Sequence, residues 1–264
     1  MKKDGHIHSP FCPHGSQDSF ESYIEKAIAH QFEEITFTEH APLPKNFIDP
    51  TPDKDSGMKL EHLLPYIEQL SVLKKKYENE IKINIGLEVD YIVGYEEETT
   101  NFLNTYGPYL DDAILSVHFL KINDEYTCID YSDAVYFEFA KKIGSIKAMY
   151  DLYYETVLKS ITADLGPYKP KRIGHPTLIH KFQLGHNEHI DDKKQIQHIL
   201  KEMQLAQYEL DVNSAGLSKL LCKEPYPAFE HIAYAKQIGV KLVFGSDAHV
   251  AKDLHQHYPL FSDF

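Results

Sequence analysis

The sequence predicts an α/β domain whose parallel strands, each followed by a helix, close into a barrel. Three observations lead there. Strand-like and helix-like segments alternate from one end of the 264 residues to the other, seven such units fit within that length, and the chemistry-bearing residues recur at or just past successive strands. Alternation of this kind implies a parallel sheet with helices outside it. Seven or eight units in about 260 residues suit a closed barrel better than an open doubly wound sheet.

The first strand is short, over 5–8. A helix follows Ser16, with Phe20, Tyr23, Ile24, Ala27 and Ile28 on one face. Residues 35–38 read as the second strand. Leu60, Leu63, Leu64, Ile67 and Leu70 mark the next amphipathic helix, and 81–89 a strand rich in β-branched residues. A helix over 96–106 leads to a strand over 113–117. Residues 120–131 form a small hairpin turning at Asn123-Asp124. The helical stretch 134–164 contains Gly144, the expected break. Arg172-Ile173-Gly174 comes next, then a helix over 191–206 and a strand over 208–212. A helix over 228–238 ends at Gly239, a C-cap position, and 241–245 is the last strand. With no internal repeat, low-complexity segment or linker, residues 1–264 are expected to form a single domain. The Pro-rich loop 41–52 is the clearest irregular insertion.

Composition narrows the function. The chain is 42% hydrophobic and 25% charged, ordinary for a globular protein. No run approaches the roughly 18 apolar residues of a membrane helix, and no apolar segment follows Lys2-Lys3, so neither membrane span nor signal peptide is expected. Cys12, Cys128 and Cys222 are too scattered for a disulfide framework, which makes a reducing cytoplasm the expected location. A net charge of -13 and a single arginine, Arg172, argue against nucleic acid as a partner. An anionic substrate would need concentrated local positive charge, which bound metal ions supply.

The 16 histidines carry the chemistry. His6 and His8 end the first strand and His40 follows the second. Glu88 ends the third, His118 follows the fourth, His175 the fifth, and Asp247 and His249 the last. In a parallel barrel those strand ends share one rim, where active sites form; His14 joins from the first loop. His6-Ile7-His8 puts two imidazoles on one side of an extended segment, and Asp247-Ala248-His249 repeats that geometry with a carboxylate. Imidazole suits zinc, iron and related ions. Cys12, between candidate ligands, reads as a small buried residue rather than a soft ligand. His30, His62, His180, His186, His189, His198, His231, His255 and His257 fall mostly in helices and loops and read as solvated surface residues.

The pattern resembles the polymerase-and-histidinol-phosphatase (PHP) superfamily over essentially the full chain. H-x-H, a histidine six residues on, a histidine after the second strand, a glutamate, two single histidines and a final D-x-H are matched by His6, His8, His14, His40, Glu88, His118, His175, Asp247 and His249. The contexts Thr38-Glu39-His40-Ala41-Pro42, Gly86-Leu87-Glu88-Val89-Asp90-Tyr91, Ser116-Val117-His118-Phe119 and Gly174-His175-Pro176 resemble those of the monofunctional histidinol phosphatases.

The resemblance implies a distorted (β/α)7, TIM-like barrel with three divalent transition-metal ions (zinc, iron or manganese). One ion would be held by His6, His8, Glu88 and Asp247, and a second by Glu88, His118 and His175. The third would be held by His14, His40 and His249. It also implies hydrolysis of L-histidinol phosphate in histidine biosynthesis. A metal-bound hydroxide is then the expected nucleophile, since a metal lowers the pKa of water from 15.7 to about 7. Asp247 and His249 are the expected proton-handling residues. Arg172 is an expected phosphate clamp. Glu39 and Asp90 would meet the cationic substrate or orient a histidine, and Phe11, Tyr91 and Phe119 would pack on the substrate ring. Two other readings stay open: another PHP phosphoesterase acting on phosphotyrosine or nucleotides, and a non-catalytic metal-binding domain.

Overall fold

The computed structural model describes residues 2–264. Its strands are β1 (Lys3–Ile7), β2 (Glu34–His40), β3 (Lys82–Asp90), β4 (Asp112–Ser116), β5 (Phe119–Ile122), β6 (Glu125–Cys128), β7 (Arg172–Ile173), β8 (Glu209–Asn213) and β9 (Lys241–Gly245). Seven of them make one parallel sheet in the order β1-β2-β3-β4-β7-β8-β9, and β5 and β6 form the expected hairpin. The two edges of the sheet meet just past β9. There Ala248 bridges Ile7, the His8 amide donates to the Ala248 carbonyl at 3.0 Å, and the Asp247 amide donates to the His6 carbonyl at 2.8 Å. The result is a nearly closed barrel.

Seven helices surround it: α1 (Phe20–Ala29), α2 (Leu60–Lys76), α3 (Glu96–Tyr106), α4 (Asp133–Ile143), α5 (Ile146–Thr162), α6 (Lys193–Leu205) and α7 (Phe229–Gln237). Ser19 caps α1 by accepting the Ser22 amide at 3.2 Å, and the buried face is Phe20, Tyr23, Ile24 and Ala27. The stretch expected to break at Gly144 does so: Gly144 ends α4 at φ +111 and Ser145 caps α5.

Strand alternation divides the residues between the two sides of the barrel wall. On β3, Ile83, Ile85, Leu87 and Val89 belong to the apolar core, while Asn84, Gly86, Glu88 and Asp90 share the opposite face. That inner face is polar. Asn84 donates to Glu34 at 2.7 Å and to Thr36 at 3.1 Å. Arg172 belongs to this interior, which corrects its expected role as a phosphate clamp. Its guanidinium is fully buried, bonds Asp112 at the start of β4 (2.6 Å), and crosses to β1. A Cβ on Gly5 would lie 2.2 Å from Arg172 Nη1, so the guanidinium occupies the space a side chain on β1 would take. A lone arginine reads as a surface charge in a sequence; here the polar barrel lumen takes it in.

Candidate metal centre

The expected ligands gather at the C-terminal ends of the strands, around Glu88. Its Oε2 lies 3.4 Å from His6 Nε2, 3.7 Å from His8 Nε2 and 3.1 Å from His40 Nδ1. Its Oε1 lies 2.9 Å from His175 Nε2 and 3.8 Å from His118 Nε2, and accepts the Ser116 hydroxyl at 2.6 Å. One carboxylate thus faces five imidazoles, with an oxygen for each side of the cluster.

Three sets of ligand atoms lie within 4.8 Å of one another: His6, His8 and Asp247; Glu88, His118 and His175; and His8, Cys12, His40 and His249. The first holds three of the four residues expected for one ion, without Glu88, and the second has the residues expected for another. The third brings in Cys12, read from sequence as a packing residue. His14, expected in that group, stands beside it, with ring centroids 5.0 Å from His40 and 5.1 Å from His249.

Outer partners fix how each imidazole presents itself. His6 Nδ1 is 2.8 Å from Asp211, His8 Nδ1 3.2 Å from Glu39, and His118 Nδ1 2.7 Å from Asp90. His14 and His249 instead hold backbone carbonyls, those of Asp55 (2.9 Å) and Asp247 (3.0 Å). In the neutral imidazole a carboxylate on Nδ1 keeps the proton there and leaves Nε2 its lone pair, the usual arrangement of a metal-binding histidine.

The donor atoms fit divalent ions. His6 Nε2 is buried with no hydrogen-bond partner, a costly state for a polar nitrogen unless a ligand satisfies it. His8 Nε2 and His40 Nδ1 face carboxylate oxygens of the cluster, Asp247 and Glu88, each at 3.1 Å. The charge balance agrees. Burial alone would lower the pKa of His8, but hydrogen bonds to Asp247 and Glu39 raise it to about 9. Burial likewise opposes, and the charges of Asp90 and Glu88 outweigh it, to raise His118 to about 10. Burial and neighbouring imidazoles hold His40 and His249 low. In the metal-free chain protons would supply positive charge on the carboxylate side of the cluster, and bound metal ions would displace them.

Glu39 has the geometry of the histidine-orienting alternative. It is fully buried and accepts from the Ser9 and His40 amides at 2.8 and 2.9 Å besides holding His8. Asp90 holds His118 and also lines the cleft above the cluster, a cavity of about 500 Å³. Of the expected aromatic contacts, Phe119 lines that cleft. Phe11 packs against Phe20 and Tyr66, and the Tyr91 hydroxyl bonds Glu96 at 2.9 Å. The cleft also holds Asp55, Asp130, Lys181 and Asp253, none of which has a motif around it in the sequence. Among the nine histidines expected at the surface, His180, His231 and His255 are buried instead. Each has carboxylate or aromatic neighbours distant in sequence.

A parallel barrel with histidine–carboxylate groups crowded on its C-terminal rim defines a metal-dependent hydrolase. Residues 4–215 match the PHP domain family. The chain is 49% identical to a histidinol-phosphatase of Bacillus subtilis (strain 168), with 99% of this chain and 98% of that protein covered. It superposes on the crystal structure of a candidate histidinol phosphatase from Listeria monocytogenes with a TM-score of 0.95 and 38% identity, covering 98% of this chain and 100% of that one. The histidinol phosphate phosphatase of Lactococcus lactis subsp. lactis Il1403, solved with zinc, L-histidinol and phosphate, shares the fold at a TM-score of 0.69 and 20% identity, with 99% and 93% covered. The chain belongs to the PHP family and, within it, to the histidinol phosphatases.

Proposed function

We infer that this chain hydrolyses L-histidinol phosphate to L-histidinol and phosphate at a cluster of divalent metal ions. The observation that supports this most strongly is the convergence of three ligand sets on the two oxygens of Glu88 at the floor of one cleft. His6, His8, Glu88 and Asp247 would hold one ion, Glu88, His118 and His175 a second, and His14, His40 and His249 the third, with Cys12 beside them. Bound divalent ions would ionise water near neutral pH and neutralise the phosphoryl oxygens as charge builds.

The protein's own part is positioning and proton transfer. Asp247 Oδ1 is 3.1 Å from His8 Nε2 and its Oδ2 accepts from Asn213 at 3.0 Å. From there it can take the proton of the attacking water and return it to the leaving alkoxide, with His249 alongside. The L-histidinol end carries an ammonium group and an imidazole. Asp55 and Asp253 line the cleft without an ion pair among the described residues, and Phe119, Tyr131 and Tyr226 offer ring contacts. Asp130 is already tied to Lys181 at 2.9 Å. A small-molecule ester suits this enclosed site better than a macromolecule. No helix among the described residues is long and apolar enough to cross a membrane, and three unpaired buried cysteines suit a reducing cytoplasm.

Discrimination must come from the cationic end, because every phosphomonoester offers the metals the same group. The expected kcat/KM for histidinol phosphate exceeds that for an aryl phosphate by at least about tenfold, roughly 1.4 kcal/mol. Steady-state turnover on both measures it. Equal or better turnover of phosphotyrosine would transfer the assignment to another phosphoesterase of the family.

A further inference from the structure

Every strand of the barrel except one delivers a candidate ligand at or just past its C-terminal end. The exception is β8, which runs into Ser214 and Ala215. Its inward residues at the rim are Asp211 and Asn213, both fully buried. We propose that β8 is the positioning strand of the cluster, on which Asp211 and Asn213 aim His6 and Asp247 at the ion those two share. The proposal rests on the metal-cluster reading above and adds to it two residues that touch neither metal nor substrate.

The geometry is specific. Asp211 Oδ2 lies 2.8 Å from His6 Nδ1, 3.4 Å from the His175 amide and 3.3 Å from Asn213 Nδ2. The same Asn213 amide group donates to Asp247 Oδ2 at 3.0 Å. Two residues of one strand therefore restrain ligand segments from β1, from the turn after β7 and from the turn after β9. Asn213 is itself fixed: its Oδ1 accepts the Ala215 amide at 2.9 Å, and its backbone exchanges bonds with Tyr226 at 3.0 and 2.9 Å.

Two further features show how closely the surroundings fit this arrangement. A Cβ on Gly245 would stand 2.4 Å from Asp211 Oδ1 and 2.7 Å from His6 Cβ, so β9 gives up a side chain where the carboxylate and the ligand pass. Asp247 sits at φ +52, a left-handed backbone uncommon for a residue with a side chain. Asn213 anchors its carboxylate.

The physical consequence lies in ligand presentation. The Asp211 carboxylate keeps the His6 proton on Nδ1 and the lone pair on Nε2, and makes the imidazole a stronger donor. Neutralising Asp211 should weaken the ion held by His6, His8 and Asp247 and spare the Glu88–His118–His175 side. Outer partners of this kind are worth about 10–100-fold in metal affinity.

Titration of the metal-free full chain with cobalt(II), followed by visible absorption and equilibrium dialysis, tests this with Asp211→Asn and Asn213→Ala. Asp211→Asn keeps the side-chain shape, and thermal unfolding of the metal-free variants reports on folding separately. The expected result is one binding step weakened at least about tenfold with the others unchanged, and kcat restored by excess metal. Wild-type affinity in every step would overturn the positioning role. So would a uniform weakening of all steps together with a lowered Tm of the metal-free protein, which marks general loosening. A wild-type chain that takes up no cobalt would overturn the metal-cluster reading and this proposal with it.

Discussion

The buried histidines at the rim and His180 beyond it differ in how their second ring nitrogen is used. At the rim, His6 and His8 each place Nδ1 on a buried carboxylate and turn Nε2 toward Glu88 and Asp247 within the ligand cluster. Beyond the rim, His180 has both nitrogens taken. Nδ1 is 2.6 Å from Glu224, and Nε2 is 2.7 Å from Asp192 and 3.1 Å from the Tyr154 hydroxyl. Burial alone would lower the His180 pKa, but the hydrogen-bonded carboxylates of Asp192 and Glu224 outweigh it and raise it to about 9. Burial and carboxylate partners are common to both clusters. What differs is where the second nitrogen points: at the rim it faces the other candidate ligands, and at His180 it closes on Asp192 and Tyr154.

Breaking each cluster should therefore have different consequences. The largest effect is expected from Glu88→Ala, which removes the carboxylate facing both sides of the centre. Turnover should fall by more than about a hundredfold, since even outer partners of metal ligands are worth 10–100-fold. Elemental analysis should show a loss of more than one ion. Near-normal turnover would remove Glu88 from its bridging place.

His180→Gln should act on stability and leave metal content alone. The folded pKa of His180 stands above its unfolded value of 6.5, so the fold binds this proton more tightly. Its contribution is full below about pH 6.5 and is lost as pH rises through about 9. The Tm of metal-free wild type should decline across that window, and the variant should start lower and decline less. Breaking a buried pair costs about 3 kcal/mol. A variant that loses a metal equivalent would erase the distinction between the clusters. The smallest effect is expected from His62→Ala and His198→Ala, both exposed. Turnover should stay within about twofold, because surface substitutions usually change stability by no more than about 0.5 kcal/mol.

The same nitrogen accounting explains what the sequence reveals. The rim ligands are legible because strand ends are local features: an apolar run followed by His, Glu or Asp is visible within ten residues. The inward direction of Glu88 follows from alternation along β3. Outer partners are not legible in this way. Asp211 meets His6 across 205 positions and Glu224 meets His180 across 44, and no local pattern records either pairing. Glu39 and Asp90 were noticeable only because they adjoin ligands, and the fold gives them histidines to hold. Arg172 shows the limit most clearly. Sequence reasoning treats an arginine as a surface or substrate charge, whereas the lumen of this barrel is polar enough to enclose one beside Asp112. The loop 41–52 stood out by its prolines, but its connection to His14 runs further along, through the Asp55 carbonyl, and a backbone contact leaves no side-chain signature.

The metal content of the purified enzyme tests the central claim most directly. Three ligand sets meet at the rim, so elemental analysis of protein prepared without chelator and saturated with zinc or manganese should approach three equivalents per chain. A saturated, folded chain that holds a single ion would contradict the cluster.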